Sequence, residues 1–507
     1  MVRGIREGFD IGFRGPQEDT YSGNLKSAFE NPEVIREYVK KETQAGRICG
    51  PFQVPPFEGF RCSPIGAVPK SDPNKFRIIM NLSAPRGNSI NDYISKEDFS
   101  LSYISVDDAI NHILDAGKGA LLSKVDVEAA FRCVPIKPEQ WNLTGFEWEG
   151  VFYYDKVLSM GGRSSPYIFN AIAEAAEYIC KVNHGVSTLI HLLDDFLAVD
   201  NPDKESKALD QILEVFKKLG VPVNGKKVFG PCTCLEFLGI ILDTILMEAR
   251  LSEEKIEALK EKLQSFESKK KVTQLEILSL VGSLSFACKV ITPGRSFLSR
   301  LIAKAYTVKE LHHLVRTSKD LREDCRIWLK FLNDWNGRSL FLSRPPLRYD
   351  ETIVTDAAGS LGYGGYLVSP TGIAAWFSQV WSPQQNQSWH IGPKELYPIL
   401  VAAQHWGAGW SGKRILVACD NATVVSAINK GYSKHIVLGK MLRALTYYSL
   451  KYNFHVQSQH VPGKSNTIAD QLSRLQVERF LCENPECSNR RVHIADTLDP
   501  LTDCSLA

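Results

Sequence analysis

The stretch from Thr188 to Asp200, TLIHLLDDFLAVD, constrains this chain more than any other. An apolar run (Leu189, Ile190, Leu192, Leu193) arrives at two adjacent carboxylates, Asp194 and Asp195, and a second run (Phe196 to Val199) leaves them. That reads as a β-hairpin with its acidic pair at the turn. Two charges flanked on both sides by buried strand are costly unless something compensates them. A divalent cation, held by one or two carboxylates and substrate phosphates, is the simplest compensation. Asp is also a common turn former, so a solvated turn explains the stretch as well. Alone, the hairpin leaves the two readings even.

At 507 residues the chain is too long for one core. Its net charge of +3 excludes a global polycation, so any nucleic-acid role must come from local basic patches. Twelve Cys are scattered without disulfide-like density, and MVRGIREGFD lacks the apolar segment of a secretory signal. Both facts predict an intracellular protein, in cytoplasm or nucleus. No apolar run reaches the length of a membrane span.

Residues 1–30 are polar and Gly-rich and predict a loose lead-in. PEVIREYVKKETQAG, with Pro32 in the first turn and Gly46 at the end, predicts a helix. Ile65 to Pro69 and Phe76 to Leu82 read as two strands around a turn of Ser71, Asp72, Pro73 and Asn74. Lys70 and Arg77 sit on its arms. They could grip a triphosphate, but from this segment alone a solvated basic turn is the preferred reading. ISVDDAINHILDA reads as an amphipathic helix, and GALLSKVDVEAAFRCVPI as a strand running into Asp126, with Phe131 five residues on. Thr144 to Val157 predicts an aromatic hairpin turning at Glu149 and Gly150. LSMGGRSSPYIFN, with Met160 and Gly161, predicts a Gly-rich loop that lets backbone approach a ligand before a helix from about Ser165. DKESKALDQILEVFKKLG is an amphipathic helix ending at Gly220, and CLEFLGIILDT a strand pair.

Residues 252–345 read as an all-α region with a basic face, and RPPLRYDE as a boundary. Beyond it the pattern becomes α/β. Asp356 lies on a first strand, Glu395 in the first turn of a helix, Asp420 at a strand end, His460 on a late strand and Asp470 on a final helix. Cys482, Cys487, His493 and Cys504 in the tail match no standard zinc spacing. The acids thus fall into two sets: Asp126, Asp194 and Asp195; then Asp356, Glu395, Asp420 and Asp470. Both suit phosphoryl transfer by paired metal ions.

At this point residues 31–477 resemble the reverse transcriptase plus RNase H of a retrotransposon, closest to the DIRS/Ngaro group. SKVDVEAAFRCVPI, LSMGGRSSPYIFN, LLDDFLAV and LEFLGIIL resemble polymerase motifs, and SLVGSLSFACKVITPGRSFLSRL a thumb segment. TDAAGSLGYGGYL, KELYPIL, CDNATVVSAIN and HVPGKSNTIADQLSR resemble RNase H. The resemblance implies an α/β and α+β multidomain fold: a right-hand polymerase, then an RNase H-like domain with a mixed sheet. Fingers and palm would occupy residues 31–240, a helical thumb or connection 241–345, RNase H 350–477 and a tail 478–507. Asp126, Asp194 and Asp195 would be catalytic and hold two Mg²⁺, or Mn²⁺. Asp356, Glu395, Asp420 and Asp470 would do the same at the second site.

The same resemblance assigns nucleotide binding to Lys70, Arg77, Phe131, Met160 and Gly161, with Phe131 as the aromatic gate against a 2′-OH. The implied partners are an RNA template, a DNA primer, an RNA–DNA hybrid and dNTPs. The chain departs from the family at Leu192, where an aromatic is usual two places before the acids, and at Met160, where retroviral enzymes have Gln. His460, near the last acid, aligns with a strand position and is left out of the catalytic set. The alternative is a catalytically inactive or domesticated nucleic-acid-binding relative; a nuclease without polymerase activity is a third reading. Oligomeric state is not legible in the sequence.

Overall fold

The structure, a computed structural model, describes residues 1–70, 75–203, 206–334, 336–339, 348–369 and 371–494. The chain forms two compact units, Met1–Glu248 and Ala249–Ala507. The Ser71–Asn74 turn, most of the Pro-containing boundary and Cys504 lie outside the described residues.

The first unit is built on an antiparallel sheet of four strands, in the order Phe229–Cys232, Leu121–Asp126, Asp195–Asp200 and Leu189–Leu192. Helices Ser165–His184 and Ala208–Leu219 pack against it. Pro166 opens the first of these, and each ends on a glycine, Gly185 or Gly220, in the left-handed region that glycine enters without steric cost. Phe169, Ala173, Ala176, Ile212, Val215 and Phe216 supply their buried faces. Phe196, on the central strand, meets Phe216 edge-on at 5.0 Å. The basic hairpin forms as Ile65–Pro69 and Phe76–Met80. The aromatic hairpin, Gly145–Trp148 with Val151–Asp155, turns through Glu149 and Gly150, both at positive φ.

The expected loose lead-in over residues 1–30 is corrected. Val2–Glu7 is helical, Phe9 bridges Ile136, Phe13 bridges Ile94, and Thr20–Tyr21 adds a parallel edge to Arg61–Cys62. Ile11, Phe13 and Ala28 are buried. Arg61, 1% exposed, donates to the carbonyls of Pro16 and Asn88 and lies over the Phe13 and Tyr93 rings. Burying those few apolar side chains outweighs the polar, Gly-rich composition around them.

The second unit begins with helices Glu253–Ser268, Gln274–Ala287, Ser299–Ala305 and Lys319–Asp334. The all-α expectation fails where Lys271–Thr273 pairs antiparallel with Leu314–Arg316, and again at the short strand Arg338–Ser339. Val272 and Val315 oppose each other and are buried, which is what a β-branched pair favours. Next comes a mixed sheet in the order Gly372–Val380, Gly362–Ser369, Glu351–Ala357, Arg414–Cys419 and His455–His460. Its first two junctions are antiparallel and its last two parallel. Helix Ile391–Trp406 packs on the central strand, with every residue from Pro393 to Ala403 buried. A helix absent from the sequence reading, Ile436–Lys451, buries Leu438, Met441, Leu442, Leu445 and Tyr448.

Residues 478–494 are packed, not a free tail. Phe480 and Cys487 bury against Trp376, whose indole N–H donates to the Cys487 carbonyl at 2.8 Å, and Arg491 stacks on the same ring. Cys487 serves that packing. No described helix is long and apolar enough to cross a membrane.

Candidate carboxylate sites

Asp126 ends its strand and Asp195 begins the next, and the antiparallel register sets them directly opposite each other. Leu192 faces Asp195 from the other side. Leu193 and Asp194 make the turn, and Leu193 takes the left-handed conformation at φ 54°. A bulky residue there costs about 1–3 kcal/mol, strain typical of functional turns. The Asp194 carbonyl accepts the Val127 N–H at 2.9 Å, which locks the turn against the end of the Asp126 strand.

Burial raises the Asp194 carboxyl above its ordinary range, and repulsion from Asp195 and Asp126 adds to this. Two lysines answer the charge. Lys227 Nζ lies 2.7 Å from Asp126 Oδ2, and Lys124 Nζ 3.1 Å from Asp195 Oδ1. The hydrogen bond to Asp126 raises the Lys227 ammonium in turn. Neither lysine was marked by the sequence. Lys124 reads as an ordinary strand residue, and Lys227 reaches Asp126 only through the fold. His191, also unmarked, is buried and paired with Glu177, tying the hairpin to helix Ser165–His184.

The five nucleotide-binding candidates lie around this centre in different ways. Arg77 pairs with Val68, so Lys70, two residues on from Val68, shares its face; both cations are exposed. Among the described residues neither forms an ion pair with the three acids. Phe131 follows a left-handed Ala129, is half-buried, and meets Phe169 edge-on at 5.8 Å. Gly161 stands at φ 118°, where a Cβ would lie 2.2 Å from the Met80 carbonyl oxygen. The glycine is therefore needed for close approach to the chain's own backbone, where the sequence reading invoked a ligand. The Met80 N–H donates to the Met160 carbonyl at 3.2 Å, and Asn91 Nδ2 to the Gly161 carbonyl at 2.9 Å. The first bond joins the Met160–Gly161 loop to the end of the basic hairpin, and the second to the short helix Ile90–Tyr93. A buried network stiffens the loop's approach: Arg132 bonds Glu42 and Asp155, and Ser159 donates to Asp155.

The second site gathers its acids from four elements. Asp356 is on the central strand, 8% exposed, and accepts a hydrogen bond from Ser473 Oγ. Burial raises its carboxyl despite that bond. Glu395 lies in the second turn of its helix, not the first, because the helix starts at Ile391, ahead of Pro393. It is 5% exposed, and burial, then repulsion from Asp356 and Asp420, pushes it up to about 9. Its Oε2 has no hydrogen-bond partner among the described residues. Asp420 follows its strand directly, and Asp470 sits at the rim, paired with Arg474 at 2.7 Å. Ligand atoms of Glu395, Cys419 and Asp420 lie within 4.8 Å of one another. Burial pushes the Cys419 thiol up to about 12, so the carboxylates are the competent donors. His460 Nε2 lies 3.1 Å from the Asp420 carbonyl oxygen, nearer this centre than its strand position suggested.

Both sites offer hard oxygen donors suited to a divalent cation, and the orphaned Glu395 oxygen fits the same purpose. Residues 68–242 match the family described as reverse transcriptase (RNA-dependent DNA polymerase). The Pro-Pol polyprotein of Simian foamy virus type 1 is 28% identical over 195 residues, 38% of this chain and 15% of that one. The chain therefore spans a small part of that relative. A foamy viral protease-reverse transcriptase in complex with double-stranded DNA shares the fold, with a TM-score of 0.51 at 16% identity over 89% of this chain and 73% of that one. The corresponding complex with RNA/DNA hybrid gives a TM-score of 0.50 at 16% identity, over 88% of this chain and 56% of that one. The matched segment, residues 68–242, thus resembles a reverse transcriptase domain and holds all three acids of the first site, Asp126 and Asp195 on paired strands and Asp194 in a turn.

Proposed function

We propose that the chain is an RNA-directed DNA polymerase joined to a ribonuclease H, from a retrotransposon of the DIRS/Ngaro kind. The observation that carries the polymerase is the register setting Asp195 opposite Asp126, with Asp194 in the turn that leads from Leu192 into the Asp195 strand. On this reading residues 31–240 are fingers and palm, 241–345 thumb or connection, and 350–477 RNase H.

At the first site Asp126, Asp194 and Asp195 hold two Mg²⁺, with Mn²⁺ as a substitute. Ions held there would supply charge neutralisation for the triphosphate and a lowered pKa for the primer hydroxyl. Lys70 and Arg77 grip the phosphates, the Met160–Gly161 loop borders the nucleotide, and the Phe131 ring excludes a 2′-OH, selecting dNTPs. At the second site Asp356, Glu395, Asp420 and Asp470 hold the ions for hydrolysis. The 2′-OH and A-form groove of an RNA–DNA hybrid are what such a site recognises.

The test is primer extension on an RNA template with Mg²⁺, run beside release of labelled RNA from a hybrid. Wild-type protein should do both. Extension no better than that of Asp194→Asn would leave a nucleic-acid-binding relative without catalysis, and RNA release without extension would leave a nuclease.

A further inference from the structure

The helical part of the second unit carries a cavity of about 860 Å³, partly open to solvent, that shares no residue with either carboxylate site. Six cations line it: Lys270, Lys304, Arg316, Lys319, Arg322 and Arg326. They come from separate stretches of chain. Lys270 leads into the strand Lys271–Thr273, Lys304 lies near the end of helix Ser299–Ala305, and Arg316 ends the opposing strand. The other three share one face of helix Lys319–Asp334. A bond from the Thr317 N–H to the Lys270 carbonyl, 3.1 Å, holds two of the stretches together.

Like charges gathered this way repel, and the protein offsets few of them. Arg326 pairs with Glu267 at 2.7 Å, and Lys319 with Glu323 at a loose 3.8 Å. Among the described residues Lys270, Lys304, Arg316 and Arg322 have no acidic partner. Two polar atoms are also left over. Thr317 lines the cavity, is 4% exposed, and its hydroxyl makes no hydrogen bond among the described residues. Arg322 Nε is buried and equally unpartnered. Each such group is costly to bury unless a ligand satisfies it. Helix Lys319–Asp334 begins beside them, so its dipole favours an anion there, against the Asp320 carboxylate in the same turn and with Ser318 Oγ already accepting the Leu321 N–H at 3.4 Å.

We propose that this cavity binds a compact, multiply phosphorylated small anion. A nucleic-acid strand strings its phosphates along a line, roughly one charge per 3.4 Å of duplex axis, and is met by cations spread along a groove. Here the cations converge on one concavity, whose size falls in the range of about 300–1,000 Å³ usual for small-molecule sites. The inference does not depend on the polymerase or nuclease reading.

Tripolyphosphate is the probe, titrated calorimetrically into the full chain with chelator present, so that the carboxylate sites take no part. One saturable site is expected, which orthophosphate at the same concentration does not compete for. Lys304→Gln with Arg316→Gln should weaken it at least about tenfold. Thr317→Val removes a hydroxyl that no described protein group uses. It should weaken binding while leaving the melting temperature of the free protein unchanged or raised, so this variant decides the matter if the double variant folds poorly. Absence of saturable binding, or unchanged affinity in these variants, overturns the proposal. So does one-for-one displacement of tripolyphosphate by a single-stranded oligonucleotide, which would assign the cavity to a nucleic-acid backbone.

Discussion

The two carboxylate sites face the same electrostatic problem and solve it differently. In the first unit two lysines stand against the acids, Lys227 on Asp126 and Lys124 on Asp195. In the second, the buried Glu395 has no cation paired with it among the described residues. The close ion pair there, Arg474 with Asp470, is at the rim. Burial and two neighbouring acids hold Glu395 up to about 9, so the repulsion is relieved by a proton. A lysine can swing aside for an arriving ion, whereas a proton must leave. Cation binding should therefore displace side chains at one site and release protons at the other.

The largest expected effects separate the sites outright. Asp194→Asn should lower primer extension by more than about 100-fold while RNA release from a hybrid stays within about twofold. Asp420→Asn should do the reverse. If either substitution abolished both activities, the two sets of acids would not be independent centres.

The next effect reads the proton directly. With Glu395 at about 9, an ion binding the second site near neutral pH must expel close to one proton. Apparent affinity there should rise up to about tenfold per pH unit and level off as pH passes the raised value. Calorimetry in buffers of different ionisation enthalpy measures the proton count, with Asp194→Asn weakening the first site. Glu395→Gln should remove the release. The stability consequence has a definite sign. A carboxyl whose folded value is raised stabilises fully below its unfolded value, and that contribution is lost as pH rises through the folded one. Without divalent ions, the melting temperature of wild-type protein should fall relative to Glu395→Gln between about pH 4.5 and 9.

What the sequence disclosed, and what it hid, follows the range of the interactions. The acidic hairpin was legible because its strands are consecutive and its acids interrupt an apolar run. The basic hairpin, the aromatic hairpin and the helix ending at Gly220 were legible for the same local reasons. The mixed sheet of the second unit was legible as alternating strand and helix patterns. Helix Ile436–Lys451 carries helical apolar spacing in Leu438, Met441, Leu442 and Leu445 but no acidic or Gly-rich motif. The anchoring of residues 1–30 at Phe9, Ile11 and Phe13 was not legible, since these meet Ile136, Gln140 and Ile94 far along the chain. Lys227 meets Asp126 across 101 positions, beyond any local pattern.

Gly161→Ala sharpens the difference between a glycine kept for a ligand and one kept for the fold. The added Cβ would lie 2.2 Å from the Met80 carbonyl oxygen, and backbone has little room to yield. The variant should lose about 1–3 kcal/mol of first-unit stability in denaturant melts, and primer extension with it, while RNA release persists. A drop in extension with an unchanged melt would instead place Gly161 against the nucleotide alone.

The smallest effect tests whether the lysines compete with the ion. Lys227 is more than half exposed, so its pairing with Asp126 contributes little to stability. Near a bound divalent ion the same ammonium repels, and it must give up Asp126 Oδ2 before that oxygen can ligate. Lys227→Met should therefore lower the ion concentration needed for half-maximal primer extension, by about threefold, with maximal extension falling no further than about twofold. The dependence of RNA release on the ion should not move, since Glu395 is held by a proton. A rise in the ion requirement would mean that Lys227 helps position Asp126 for its ligand, and the contrast between a site guarded by lysines and one guarded by a proton would fail at its first member.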